Sequence, residues 1–160
     1  MVTAIYPGSF DPFTNGHLNI LKHAAKIFDK VYVVVMTNPK KSRLLYHEAS
    51  TQLIKTIVSN NGLANVEVVT PQSGLLFIEA KRLKCDYIVR GVRNNGLDYS
   101  YEENLAEFNK EVGDINTIFF RADKDKYVSS TMIKTLLQGQ QDISKYVPPE
   151  VAQYFKDKDI

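Results

Sequence analysis

The chain has 160 residues, 44% of them hydrophobic and 24% charged, so it can bury a core and is not disordered by composition. Its 20 Lys and Arg against 18 Asp and Glu leave a formal charge of +2. That gives no reason to expect a nucleic acid or any general polyanion as partner, and phosphate recognition would have to come from local clusters. The single cysteine, Cys85, excludes an internal disulfide framework and a multi-cysteine zinc site, and the apolar runs fall far short of the ~20 residues that span a bilayer.

No basic segment followed by a long apolar one opens the chain, so no signal peptide is expected. The expectation is one soluble cytoplasmic domain over residues 1–160. Val2–Tyr6 reads as the first strand, and Leu18, Leu21, Ala25 and Phe28 share the face of a helix after it. A strand at Val31–Thr37 is followed by a helix with Leu53, Ile54, Ile57 and Val58 on one face. Then come a strand at Val66–Thr70, a helix near Leu75–Leu83 and a strand at Tyr87–Val89. A helix with Tyr101, Leu105, Phe108 and Val112 on one face precedes the last strand, Ile115–Phe120. A helix from Ser129 to Leu137 and a short one at Glu150–Lys156, opened by Pro148-Pro149, end the chain. The strands are apolar on both sides, as in a parallel sheet buried on both faces. The fold expected is α/β, a doubly wound five-stranded parallel sheet of Rossmann-like type with helices on both faces. In such a fold ligands sit beyond the carboxyl ends of the strands.

Four segments at those ends carry unusual chemistry. In Tyr6-Pro-Gly-Ser-Phe-Asp-Pro-Phe-Thr-Asn-Gly-His17 a strand enters a turn and a helix begins. Gly8 and Gly16 let a ligand approach the backbone, Asn15 or Thr14 caps the helix, and His17 falls in its first turn, where an anion is favoured. Read alone, a Gly-His pair is equally a turn with a surface histidine. Lys40-Lys41-Ser42-Arg43 is either a solvated loop or a phosphate clamp. In Ile88-Val-Arg-Gly-Val-Arg93, Arg90 ends a buried strand and needs an anion, which is either a ligand or Asp98, Glu102 or Glu103. Ser129, Ser130 and Thr131 open a helix with more hydroxyls than a cap requires. His23 and His47 receive no role.

The Tyr6–His17 string resembles the opening of bacterial phosphopantetheine adenylyltransferase, and Thr14-Asn15-Gly16-His17 fits the wider nucleotidylyltransferase pattern [T/H]-x-G-H. Arg90-Gly-x-Arg93, Ser129-Ser-Thr131 and Asp142-Ile-Ser-x-x-Val-Pro-Pro149 resemble the later motifs of that family, in order. The resemblance implies transfer of the adenylyl group of ATP to 4'-phosphopantetheine, giving dephospho-coenzyme A and pyrophosphate. It implies that Ser9, Lys41, Leu76 and Arg90 contact the pantetheine substrate. Ser9, Phe10, His17, Gly91, Val92, Arg93, Glu102 and the stretch Asp125, Lys126, Tyr127, Val128, Ser129, Ser130 and Thr131 would surround ATP. His17, Lys41 and Arg90 would be catalytic. Magnesium would arrive on the ATP phosphates rather than in a protein cage, coenzyme A would inhibit, and the assembly would be a homohexamer.

This sequence departs from the family pattern at several places. Tyr46-His-Glu-Ala-Ser50 replaces a Thr/Ser-x-Glu-Glu-Arg-like run, so Lys40 is an alternative to Lys41. Glu103 is likewise an alternative to Glu102, and Asp125 stands where an aromatic residue is often found. Two other functions stay open on the sequence: an adenylyltransferase acting on nicotinate mononucleotide, and a non-catalytic adenine-nucleotide sensor.

Overall fold

The computed structural model of the protein describes residues 1–37, 42–92, 96–123 and 128–158. Short runs rich in Val and Ile form strands because branched side chains pack well on a pleated surface. The elements are β1 (Thr3–Gly8), α1 (Asn15–Ile27), β2 (Lys30–Val35), α2 (His47–Asn60), β3 (Val66–Val69), α3 (Leu76–Arg82) and β4 (Tyr87–Val92). They continue as α4 (Gly96–Gly113), β5 (Asn116–Arg121), α5 (Ser130–Gln138) and α6 (Pro149–Asp157). The strands form one parallel sheet in the order β3-β2-β1-β4-β5. The expected α/β architecture is therefore present.

Side chains alternate between the two faces of the sheet. Ala4, Tyr6, Val33 and Val35 join one core with Leu21 of α1, Ile54 and Ile57 of α2, Ile133 of α5 and Phe155 of α6. Ile5, Val34 and Ile88 face the other way and pack with Ala80 of α3. Phe77 of α3 meets Phe108 of α4 with ring centroids 6.2 Å apart. Burial on both faces holds for β1 and most of β2. The edge strands differ: Glu67 of β3 is exposed, and no residue of β5 is fully buried. An edge strand has a neighbour on one side only, so its side chains are less completely covered.

Two strands run further than their apolar residues indicate. β1 continues through Pro7 and Gly8, which pair with Val34 and Val35. β4 continues through Arg90, Gly91 and Val92, opposite Phe119, Phe120 and Arg121. By contrast β1 and β4 pair only at Ala4–Tyr87 and Ile5–Ile88. Chain order reverses between these two strands, which makes their carboxyl ends the topological switch point of the sheet.

The apolar face expected on α4 is not its buried face. Tyr101, Phe108 and Val112 are largely exposed, whereas Glu102 and Asn109 are buried. Periodicity alone identifies the apolar stripe but not what lies opposite it. Here Arg90 lies opposite Glu102, and a buried carboxylate with a guanidinium partner replaces an apolar contact.

Gly91 has a packing reason to lack a side chain. A Cβ on it would collide with Cδ1 of Ile20 on α1, so its missing side chain makes room for the protein's own core. Gly91→Ala should destabilise the fold by roughly 1–3 kcal/mol through overpacking. Ile20→Val removes the colliding carbon and should recover part of that loss in the double variant, as measured by urea unfolding.

Candidate active site

The turn after β1 is built around buried side chains. Phe10 adopts φ 45°, a left-handed conformation uncommon for a bulky residue, and is only 2% exposed. Its ring lies against the Gly8 backbone, where a Cβ would come within 2.8 Å of it, while Gly8 also lines two cavities at this end of the sheet. Asp11, also buried, accepts hydrogen bonds from the N–H groups of Leu44 and Leu45, each at 2.7 Å, and pairs with Lys134 of α5 at 3.1 Å. One carboxylate thus joins the first turn, the chain entering α2, and α5.

Thr14, rather than Asn15, caps α1. Its hydroxyl accepts from the His17 N–H at 3.3 Å, and its own N–H donates to His17 Nδ1 at 2.9 Å, a reciprocal capping box. Because Nδ1 accepts, the neutral imidazole carries its proton on Nε2. The ring is held between Phe10 and Phe13, at centroid distances of 5.1 and 5.4 Å.

Arg90 extends from β4 into the opening between β1 and β4. Its Nε and Nη2 each donate to Glu102 at 2.8 Å, and Nη1 donates to the Pro7 carbonyl at 3.0 Å. Three of the five guanidinium N–H donors are thereby used. Burial works to lower the Arg90 pKa, but the hydrogen bond and charge of Glu102 outweigh it and hold the guanidinium more firmly protonated than usual. Burial pushes the neighbouring Tyr6 hydroxyl well above the ordinary phenol range, with Arg90 opposing and Glu102 adding to the shift. Of the two glutamates open on the sequence, Glu102 reaches the site and Glu103 is exposed.

Two cavities meet at this ion pair. The smaller, about 240 Å³, is lined by Ser9, His17, Arg90, Gly91, Glu102 and the first turn of α5 at Ser129–Thr131. The N-termini of α1 and α5 both open onto it, which concentrates N–H donors and the positive ends of two helix dipoles. The larger, about 720 Å³, shares Pro7, Gly8, Ser9, Arg90 and Glu102 with the first. Its far walls are mainly apolar and include Met36, Leu75, Leu76, Leu105 and Phe108.

The structure therefore brings together Ser9, Phe10, His17, Arg90, Gly91, Val92, Glu102, Val128, Ser129, Ser130 and Thr131 around the smaller cavity, and places Leu76 in the larger one. Ser9 lines both. Lys40, Lys41, Arg93, Asp125, Lys126 and Tyr127 lie outside the described residues.

The serine segment differs in detail from its expected use as a row of hydroxyl donors. Ser129 Oγ accepts from the Met132 N–H at 3.1 Å as the helix cap, and Ser130 Oγ donates to the Pro12 carbonyl at 2.9 Å. The Ser130 and Thr131 N–H groups have no acceptor within the helix, and Ser129 keeps its O–H for donation because its Oγ only accepts from Met132. Sequence reasoning missed Asp11, Lys134 and the Glu79–Arg82 pair. An aspartate before a proline in a polar turn signals the first. A glutamate among Phe77, Ile78 and Ala80, three residues before an arginine, signals the last.

Two cavities that share residues at the topological switch point of a parallel sheet are where an α/β protein of this class binds its ligands. The cytidylyltransferase-like family model matches residues 5–136. The chain is 41% identical to a phosphopantetheine adenylyltransferase of Lactobacillus acidophilus, over 99% of this chain and 98% of that one. It is 39% identical to a phosphopantetheine adenylyltransferase of Leuconostoc mesenteroides, over 99% and 95%. A solved structure of Plasmodium falciparum nicotinic acid mononucleotide adenylyltransferase has the same fold, with a TM-score of 0.69 at 19% identity over 99% of this chain and 96% of that one. The chain belongs to the cytidylyltransferase-like family of nucleotidylyltransferases and, within it, to the phosphopantetheine adenylyltransferases.

The two serine bonds separate in experiment. Ser129→Ala should cost about 1 kcal/mol as a lost cap. Ser130→Ala should cost a similar amount, about 1 kcal/mol, by releasing α5 from Pro12. Thr131→Ala, an exposed first-turn substitution that keeps the N–H, should leave the melting temperature nearly unchanged.

Proposed function

We propose that this chain transfers the adenylyl group of ATP to 4'-phosphopantetheine, releasing pyrophosphate and dephospho-coenzyme A. The observation that carries the reading is the meeting of the two cavities at Ser9 and Arg90, one bounded by donors suited to a triphosphate and the other by apolar walls suited to a pantetheine arm. An acceptor phosphate in the larger cavity would then face a nucleotide α-phosphate in the smaller one. Family membership supports the same substrates.

In this reading an oxygen of the acceptor phosphate attacks the α-phosphorus. A new P–O bond forms, the bond from the α-phosphorus to the bridging oxygen breaks, and pyrophosphate leaves with that electron pair. The nucleophile is already an anion near neutral pH, so alignment and charge stabilisation are what the protein supplies. His17, with its proton on Nε2, donates to an α-phosphate oxygen. Arg90 uses its remaining N–H donors for the acceptor phosphate, assisted by Lys41, and the N–H groups at Ser130 and Thr131 receive the leaving pyrophosphate together with Arg93. Gly91, Val92 and Glu102 border the nucleotide, and the Asp125–Val128 stretch completes its surround.

Glu102, the one carboxylate among the described residues lining the smaller cavity, has both oxygens bonded to Arg90, which leaves that wall suited to phosphate oxygens. Among the described residues no cluster of three or more His, Cys, Asp or Glu could hold a metal. Magnesium, if bound, would arrive on the triphosphate, whose charge it would offset, with His17, Arg90 and the α5 N-terminus holding the phosphates. Coenzyme A, which carries both the pantetheine arm and the adenylate, would compete for both cavities. A homohexamer and a cytoplasmic setting belong to the same proposal and rest on the family. Among the described residues no helix is long and apolar enough to cross a membrane.

Pyrophosphate release from ATP should depend on 4'-phosphopantetheine and should not occur with nicotinate mononucleotide. Release with the latter alone would replace the acceptor, and nucleotide binding without release would indicate a sensor. His17→Ala should lower turnover by on the order of 10²–10³. It should also cost about 1 kcal/mol of stability through the broken capping box. A loss of turnover below about threefold would remove His17 from transition-state stabilisation.

A further inference from the structure

Glu79, on α3, lines neither cavity, yet its side chain is completely enclosed. Oε1 accepts hydrogen bonds from the N–H groups of Gln72 at 2.7 Å and Ser73 at 2.6 Å. Oε2 accepts from Arg82 Nε at 3.0 Å and Nη2 at 2.6 Å, and Arg82 Nη2 also donates to the Thr70 carbonyl at 3.3 Å. Two side chains of α3 therefore grip Thr70, Gln72 and Ser73 in the connection from β3. Burial works to raise the Glu79 pKa, but the bonds from Arg82 and the two amides outweigh it and hold the carboxyl below its ordinary range.

The gripped residues lead directly into Gly74, Leu75 and Leu76, which form one wall of the larger cavity. Leu76 is also held by the second core and the Leu75 carbonyl by the Ile78 and Glu79 N–H groups, so what the pair adds is the position of the chain just before α3. Leu75 is 47% exposed and supplies no side-chain cap to α3, and Ser73 Oγ gives its N–H one bond at 3.1 Å. An apolar residue at position 79 would fill the same space but leave the two N–H groups without an acceptor. A buried carboxylate is costly to release from its partners, so the connection has one strongly favoured position.

We propose that the Glu79–Arg82 pair is a positioning device for the acceptor: it sets the Gly74–Leu76 wall and thereby the fit of the pantetheine arm. This rests on the reading of the larger cavity as the pantetheine side. Neither residue touches the reacting atoms, so the effect belongs to acceptor binding rather than to the nucleotide.

The test is initial-rate kinetics of pyrophosphate release, each substrate varied in turn, on the wild type, Glu79→Gln and Arg82→Met, with melting temperatures alongside. Glu79→Gln keeps the shape and loses the charge, whereas Arg82→Met keeps the stem and loses the guanidinium. Both should raise KM for 4'-phosphopantetheine roughly three- to tenfold while KM for ATP stays within about twofold. An unchanged acceptor KM, or equal rises in both KM values with a lower melting temperature, would reduce the pair to a structural role. If Glu79→Gln fails to fold, Arg82→Met decides on the same criteria. A wild type that releases no pyrophosphate with 4'-phosphopantetheine but does so with another acceptor overturns the cavity reading itself, and the assignment of the pair to that arm with it.

Discussion

The site depends on the ion pair between Arg90 and Glu102. Beyond Ile5 and Ile88 the two central strands no longer pair, and a cation enters the opening. A guanidinium there without an anion would carry a large desolvation penalty, so the acid from α4 is a requirement of the fold. The bidentate contact fixes three things together: the direction of Arg90, the rotation of α4 about its axis, and the boundary between the two cavities. Adenylyl transfer between two bound phosphates needs such a boundary, because the reacting groups must approach from opposite sides with little freedom.

A second buried acid, Asp11, extends the same logic away from the sheet. Its bonds to Leu44 and Leu45 and its pairing with Lys134 tie segments that are far apart in the chain. The Ser130 bond to Pro12 joins α5 to the same turn. The first turn is thus held from several sides, and Phe10 can persist at φ 45° because the surrounding contacts over-determine it. With Glu79, three enclosed carboxylates each receive more than one donor and each stands where a strand-end connection must be held still.

The readings that changed share one cause. Tyr101, Phe108 and Val112 share a face of α4 by helical spacing, yet they are largely exposed. The sheet instead presents Arg90 to that helix, and Glu102 turns inward. Where a Cβ would stand, Gly8 meets Phe10 and Gly91 meets Ile20, although both glycines also line a cavity. The Ser130 hydroxyl donates to Pro12, and Ser129 Oγ accepts from Met132 as the cap while keeping its own O–H. In each case a neighbour from elsewhere in the protein, which the local pattern does not show, meets the residue.

The order and kind of the elements were set by local pattern. Alternating branched runs and helical faces depend on neighbours within a few residues, so they are visible along the chain, and with them came the parallel sheet and the carboxyl edge that holds the site. The Tyr6–His17 string carried its own information because turn, cap and histidine all lie within one continuous segment. Tertiary structure alone decided the pairing of Arg90 with Glu102 rather than Glu103, the donors' positions around Asp11, and the meeting of two cavities at Ser9. Those contacts join separate elements, and their energies depend on burial, which exists only once the sheet has closed and water has left the space between its helices.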